Sequence, residues 1–205
     1  MYNKFFKRLF DFILSLVGLV LLSPLLLLTA IAIKLDSKGP VMFTQKRVGR
    51  DKKYFRMYKF RSMYIDTPHE TPTHLLEDPE KYITRVGRII RRTSIDELPQ
   101  LLNILKGDMA IIGPRPALFN QYDLVAERDR YNANAVRPGL TGWAQINGRD
   151  ELPIDVKARY DGEYCEKLSL GFDIKCFLMT IGKVISHDGF VEGAAVETDH
   201  RSEDK

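Results

Sequence analysis

Phe12–Ile33 reads FILSLVGLVLLSPLLLLTAIAI, 22 residues without a single charge. A bilayer core takes about 20 apolar residues wound as a helix, so this run decides where the rest of the chain lives. A secretory signal peptide carries a shorter apolar stretch, about 7–15 residues, ended by a small-residue cleavage site. The run does close on Ala30-Ile31-Ala32-Ile33, but the segment after it is strongly basic, which suits a cytoplasmic flank. Lys4, Lys7 and Arg8 stand before it. After it, ten bases lie between Lys34 and Arg61, opposed only by Asp36 and Asp51. The positive-inside rule keeps both flanks cytoplasmic, which a straight spanning helix does not allow. Pro24, at the middle of the run, has no N–H, and its ring meets the carbonyl of Val20. The Ser23 hydroxyl is placed to take up a carbonyl freed in this way. Residues 1–35 therefore read as a helix–break–helix that enters one leaflet and turns back. A Pro-kinked spanning helix is the alternative that the residues leave open.

Outward from this segment, 205 residues predict one compact domain, large enough to bury a core without metal or disulfide staples. A content of 44% hydrophobic and 28% charged residues excludes a disordered or collagen-like chain. Two isolated cysteines, Cys165 and Cys176, exclude a disulfide framework and a structural zinc site. The net charge of +4 understates the asymmetry. The stretch from Phe190 to Lys205 holds five acids and two bases, leaving a body with 29 bases against 22 acids. Such a body attracts anions: nucleic acid, anionic lipid or phosphorylated substrates.

Gly39-Pro40 closes the apolar segment. Val41–Arg47 and Tyr54–Met63 read as two strands joined at Gly49–Lys53, a β-hairpin. Residues 64–80 carry Pro68, Pro72 and Pro79 and read as a loop. Tyr82–Arg92 reads as a basic amphipathic helix, its apolar stripe Tyr82, Val86, Ile89 and Ile90, suited either to anionic headgroups or to an ordinary solvated face. Leu98–Lys106 is a short helix stopped by Gly107. Gly113-Pro114-Arg115-Pro116 makes a rigid corner. Leu118–Tyr131, Pro153–Lys167 and Phe172–Ile185 complete the helices. The last of them is apolar enough to touch lipid, although a core helix is the commoner cause of that pattern. The expected fold class is α+β, mostly α. It comprises a re-entrant membrane helix (1–35), a compact cytoplasmic domain (36–189) with a small hairpin and amphipathic interfacial helices, and a flexible tail (190–205).

The chemistry-bearing residues sit in Ser94-Ile95-Asp96-Glu97-Leu98-Pro99. Arg91 lies five residues before Asp96 and Arg115 nineteen after it. With Asp96 as the N-cap of the following helix, Pro99 falls at N3, where its missing N–H costs nothing. A cap alone is the commoner reason for such a pair. The same geometry also suits a phosphate at a helix N-terminus, clamped by Arg91 and Arg115. Mg²⁺ would bridge a carboxylate and the phosphates, and a carboxylate there is a nucleophile for phosphorus, giving an acyl phosphate. The four histidines lie in loops and tail without metal-ligand spacing, and Walker and dinucleotide motifs are missing.

Six ordered motifs carry a resemblance: Lys59-Phe60-Arg61-Ser62-Met63, Asp96-Glu97-Leu98-Pro99-Gln100, Leu105-Lys106-Gly107-Asp108-Met109, Gly113-Pro114-Arg115-Pro116, Arg137-Pro138-Gly139 and Asn147-Gly148-Arg149. With Ser23-Pro24 they resemble the bacterial sugar transferases known as monotopic phosphoglycosyl transferases, from about residue 1 to about 190. The likeness is to the minimal form, with no transmembrane bundle expected before the catalytic part. It implies a re-entrant helix broken at Ser23 and Pro24, in the bacterial inner membrane, with the catalytic domain on the cytoplasmic face. It implies transfer of a sugar 1-phosphate from a UDP-sugar to undecaprenyl phosphate, with release of UMP, as the first membrane step of capsule, O-antigen or glycoconjugate assembly. The donor is expected to be an N-acetylated amino or deoxy sugar. The implied mechanism is ping-pong: Asp96 is the nucleophile and holds Mg²⁺, and Glu97 assists through the metal or as a base. Arg91 and Arg115 contact phosphate with Lys59 nearby, and Arg137, Gln145, Asn147 and Arg149 line the nucleotide-sugar pocket. The competing expectation is a membrane-anchored module that binds an anionic lipid or nucleotide sugar without turnover. A nucleic-acid partner is not expected, since the aromatics do not interleave with bases on a platform.

Overall fold

The computed structural model describes residues 2–67, 78–148 and 152–186. Most of the expected 64–80 loop, all four histidines, Arg149 and the 190–205 tail lie outside the described residues.

A wide turn over Tyr2–Phe6 leads into α1, Lys7–Asp36, which is about 45 Å long at 1.5 Å per residue. Among the described residues it is the one helix long and apolar enough to cross a membrane. The expected break at Ser23-Pro24 is corrected: α1 winds through Pro24 without interruption. The reason is local. Pro24 leaves the Val20 carbonyl without its amide partner, and the Ser23 hydroxyl donates to that carbonyl at 2.7 Å.

Both ends of α1 are bound to the same folded body. At the start, Lys7 Nζ pairs with Asp173 at 2.7 Å and Tyr2 donates to the same carboxylate oxygen. Arg8 donates to the carbonyls of Ile104 and Leu105, and Asp11 accepts from the Ile111 amide at 3.0 Å. Midway, Leu19 and Leu22 pack on a core of Met57, Leu101, Ile104 and Met109. Near the end, Leu26, Ala30 and Ile33 pack on Phe60 and Ile90. The buried Arg61 then closes the helix, donating to the carbonyls of Ser37 (2.9 Å) and Pro40 (2.7 Å) and to Ser37 Oγ. The outward face stays apolar and exposed, with Ile13, Val17, Val20, Leu21 and Leu28 on it.

The hairpin forms as expected from β1 (Met42–Val48) and β2 (Tyr54–Phe60), antiparallel with Met42 opposite Phe60 and Val48 opposite Tyr54. Its turn holds Asp51 and Lys52 in the left-handed region. β2 stops three residues short of the expected Met63: the Arg61 amide still donates to the Val41 carbonyl at 2.9 Å, while its side chain turns back to cap α1. Met63 instead bridges to Ile83. α2 (Arg85–Arg92) starts later than Tyr82, since Thr84 accepts from the Gly87 amide at 2.9 Å and caps the helix there. Gly87 is required: a Cβ on it would lie 1.9 Å from the Ser62 carbonyl oxygen.

α3 (Gln100–Lys106) ends at Gly107 with φ +94°, as the sequence predicts. β3 (Ala110–Ile112) and β4 (Gly139–Thr141) then pair in parallel, a feature not read from the sequence. Between them lies α4 (Tyr122–Asp129), four residues shorter at its start than expected. α5 (Trp143–Ile146), α6 (Ile154–Glu166) and α7 (Leu170–Ser186) complete the body around a second core of Ile112, Ile146, Tyr164 and Cys176. α7 buries Asp173 and Cys176. It leaves Leu170, Ile174, Phe177, Leu178 and Ile181 exposed at i, i+4, i+7, i+8 and i+11, one continuous apolar stripe.

Candidate active site

The chain reverses between α2 and α3 through Ser94, held at φ +55°, and a 3₁₀ turn over Ile95–Glu97. Asp96 therefore sits in the reversal itself and is not the N-cap of α3. Pro99 occupies that N-cap position with φ −60°, where a missing amide hydrogen leaves no intrahelical bond unmade. The turn presents two adjacent carboxylates of different environment. Asp96 is buried, and the Glu97 side chain is about one-fifth exposed.

Glu97 meets cations from three segments. Lys59, near the end of β2, places Nζ 2.8 Å from Glu97 Oε1. Arg115, in the corner after β3, places Nη1 3.5 Å from the same oxygen. Arg47, on β1, adds its field. Burial pushes the Glu97 carboxyl up, but Lys59, Arg115 and Arg47 together outweigh it and draw its pKa down to about 2. Arg91, in the last turn of α2, reaches Ser62 Oγ at 3.5 Å, three residues along from Lys59. The site is thus an anionic dyad beneath a set of cations, an arrangement that receives phosphate groups and stabilises charge shifting between them.

Each residue of Lys59-Phe60-Arg61-Ser62-Met63 has a separate task here. Lys59 pairs with Glu97, Phe60 is core, Arg61 closes α1, Ser62 meets Arg91, and Met63 bridges to Ile83. The Gly113 corner lies directly on the stretch after Arg137. Cβ atoms on Gly113, Gly139 or Gly142 would come within 2.0–2.5 Å of facing backbone, so two chain segments meet there with no room for a side chain.

The remaining expected residues are placed differently. Arg137 Nε donates to the Gly107 carbonyl at 2.9 Å, so with Arg8 it closes the C-terminus of α3. Gln145 donates to the Leu140 carbonyl at 3.3 Å, and the exposed Asn147 donates to the Trp143 carbonyl at 2.8 Å. The contacts therefore gather Lys59, Glu97 and Arg115 around the turn that carries Asp96, with Arg91 at its edge; those of Arg137, Gln145 and Asn147 brace backbone. Arg47 was missed by sequence reasoning. The signal that would have found it is the hairpin register: Phe43 opposite Lys59 and Arg47 opposite Phe55 put Arg47 on the Lys59 face.

Among the described residues no group of three or more His, Cys, Asp or Glu side chains is gathered for a metal ion. Mg²⁺ does not need one, since it keeps several waters and takes one or two carboxylates plus substrate phosphates. The Asp96–Glu97 dyad offers carboxylates of the kind such an ion takes.

A sequence model of the bacterial sugar transferases matches residues 2–187. The chain belongs to this family. Among its curated relatives is an undecaprenyl-phosphate glucose phosphotransferase of Komagataeibacter xylinus, 44% identical over 191 residues, covering 87% of this chain and 36% of the relative. A second is the UDP-N-acetylgalactosamine-undecaprenyl-phosphate N-acetylgalactosaminephosphotransferase of Aeromonas hydrophila, 40% identical over 191 residues, covering 90% of this chain and 45% of the relative. The chain thus spans less than half the length of these two relatives. An uncharacterized sugar transferase of Bacillus subtilis, EpsL, is 41% identical over 183 residues, with 89% of each chain covered.

Proposed function

We propose that this bacterial sugar transferase moves a sugar 1-phosphate from a UDP-sugar to undecaprenyl phosphate, releasing UMP. The observation that carries the reading is the Asp96–Glu97 dyad under Lys59, Arg115 and Arg47. In the first step a carboxylate oxygen of Asp96 attacks the β-phosphorus. The bond from that phosphorus to the bridging oxygen breaks, and UMP leaves with the electron pair. An acyl phosphate now joins Asp96 to the sugar. In the second step a phosphate oxygen of undecaprenyl phosphate attacks the same phosphorus and frees the carboxylate. Arg115, Arg91 and Lys59 hold the donor phosphates as charge moves onto the leaving group. A carboxyl with a pKa of about 2 is a weak base at neutral pH, and the incoming phosphate is already ionised. Glu97 therefore orients Lys59 and Arg115 instead of taking a proton. Asp96 would hold Mg²⁺, which would neutralise phosphate charge when bound.

The acceptor is a lipid, so the site belongs at headgroup height. Binding of both ends of α1 to one body supports a helix that dips into the cytoplasmic leaflet and does not cross. α7 meets the start of α1 through the Lys7–Asp173 pair, and its exposed apolar stripe suits the same lipid. The basic body favours anionic headgroups.

The relatives' names divide among glucose, N-acetylgalactosamine and galactose. We place N-acetylated amino and deoxy sugars first in the donor panel, with glucose and galactose beside them. The test is nucleotide release by the purified protein with Mg²⁺, with and without undecaprenyl phosphate. UMP formed with one donor and dependent on the lipid supports the reading; UDP as the product overturns it. Asp96→Asn should abolish turnover while donor binding survives. Undiminished activity in that variant would sink the covalent step.

A further inference from the structure

Arg115 is carried by a corner without regular structure, whereas Lys59, Arg47 and Arg91 ride on strands and a helix. Pro114 and Pro116 fix their own φ angles but contribute no N–H, so the corner cannot be held by a ladder of its own. It is held by its carbonyls. Pro114 O accepts from the Gly139 amide at 2.9 Å, and Ala117 O from the Val48 amide at 2.9 Å. Between them, Pro116 O accepts from Arg47 Nη1 at 3.0 Å, and Arg115 O from Arg128 Nη2 at 3.0 Å. Four successive carbonyls are thus taken by β4, α4, β1 and the end of β1.

The Arg128 bond is the unusual one. Its guanidinium is buried in α4, with Nε 2.8 Å and Nη2 2.6 Å from Asp161 Oδ2 on α6. Their side chains are 5% and 1% exposed. A buried ion pair is a poor source of stability, because desolvation cancels most of its attraction. This pair has a further geometric use. The planar fork serves the Asp161 carboxylate and the Arg115 carbonyl together, which a lysine ammonium does not reproduce.

We propose that Arg128, locked by Asp161, is a positioning residue that fixes the Arg115 backbone so that its side chain meets Glu97 and a donor phosphate. The inference rests on the role given to Arg115 under the proposed function. Arg128 touches neither substrate nor dyad; it acts through one carbonyl.

The test is a double-mutant cycle on kcat/KM for the UDP-sugar donor, using full-length Arg128→Lys, Arg115→Ala and their combination, with thermal unfolding followed for each. Arg128→Lys keeps the charge opposite Asp161 and should lower kcat/KM by about tenfold, the scale of one lost bond to a charged group, chiefly through a raised KM. In the Arg115→Ala background it should have no further effect, because the side chain it positions is gone. Where the lysine variant does not accumulate, Arg128→Gln with Asp161→Asn leaves no buried charge and runs the same cycle. Two losses that multiply, or an Arg128→Lys enzyme with unchanged kcat/KM, overturn the inference and leave the function standing. Unchanged transfer in Arg115→Ala alone would instead overturn the reading of the site, and this inference with it.

Discussion

Glu97 is ionised throughout the physiological range because three cations outweigh its burial. Its folded pKa of about 2 lies below the ordinary 4.5, so the native state favours the charged form. The stability this contributes is fully present above pH 4.5 and is lost as pH falls from there towards about 2. Glu97→Gln should flatten the acid limb of thermal unfolding across that window. A limb as steep as that of the unsubstituted protein would show that the cations do not act on this carboxyl. The same value predicts that the acid limb of kcat/KM near neutral pH does not move in Glu97→Gln, whatever the loss in rate. The pair Asp96-Glu97 stands out in the sequence, but its residues alone favoured a cap; the catalytic role came with the resemblance. The cap role assigned to Asp96 was not borne out, because Ser94 takes a left-handed conformation that a one-dimensional pattern does not announce. Arg47 stayed hidden because its neighbourhood to Glu97 depends on hairpin register and on the fold of the corner after β3.

At the scale of elements, strong punctuation was readable and weak pairing was not. Gly107 ended α3, Gly39-Pro40 ended the apolar segment, and two aromatic strands made the hairpin. The parallel pair β3–β4 escaped because three-residue strands carry no period to read. α2 crosses close over the Ser62 carbonyl at Gly87, where a Cβ would lie 1.9 Å from the oxygen. Gly87→Ala puts a methyl where backbone already stands. It should destabilise the fold by about 1–3 kcal/mol, the usual range for overpacking, and shift Arg91, which rides one turn further along the same helix. Thermal unfolding measures the first effect and the KM for donor the second. An alanine variant as stable as the parent would mean that α2 and the chain after β2 are less closely apposed than the geometry says.

Taken as a whole molecule, the proposed dip into one leaflet poses one question: what would stop the 30-residue α1 from crossing? Length does not, since about 45 Å exceeds the roughly 30 Å hydrocarbon core. Pro24 does not stop the helix from continuing either, since α1 winds through it and the Ser23 hydroxyl occupies the vacated Val20 carbonyl. On that proposal the restraint is tertiary. Lys7 pairs with the buried Asp173, Arg8 caps α3, Asp11 holds the Ile111 amide, and at the far end of the helix Arg61 seals the last turn. Crossing would require the whole N-terminal set to detach and three cations, Lys4, Lys7 and Arg8, to pass the bilayer, each at a cost of a few kcal/mol. Cysteines introduced at Asn3 and at Lys38 should therefore both react from the cytoplasmic side in intact cells, with native Cys165 and Cys176 replaced. Removing Lys7 and Arg8 together takes away the pair, the cap and two of the three flanking charges. It should expose the Asn3 label to the far side in a fraction of molecules, and Pro24→Ala, which leaves those contacts in place, should do so less. A label at Asn3 that reacts only from outside in the unaltered chain would show that α1 crosses, and that its contacts with Asp173 and α3 do not form in the membrane.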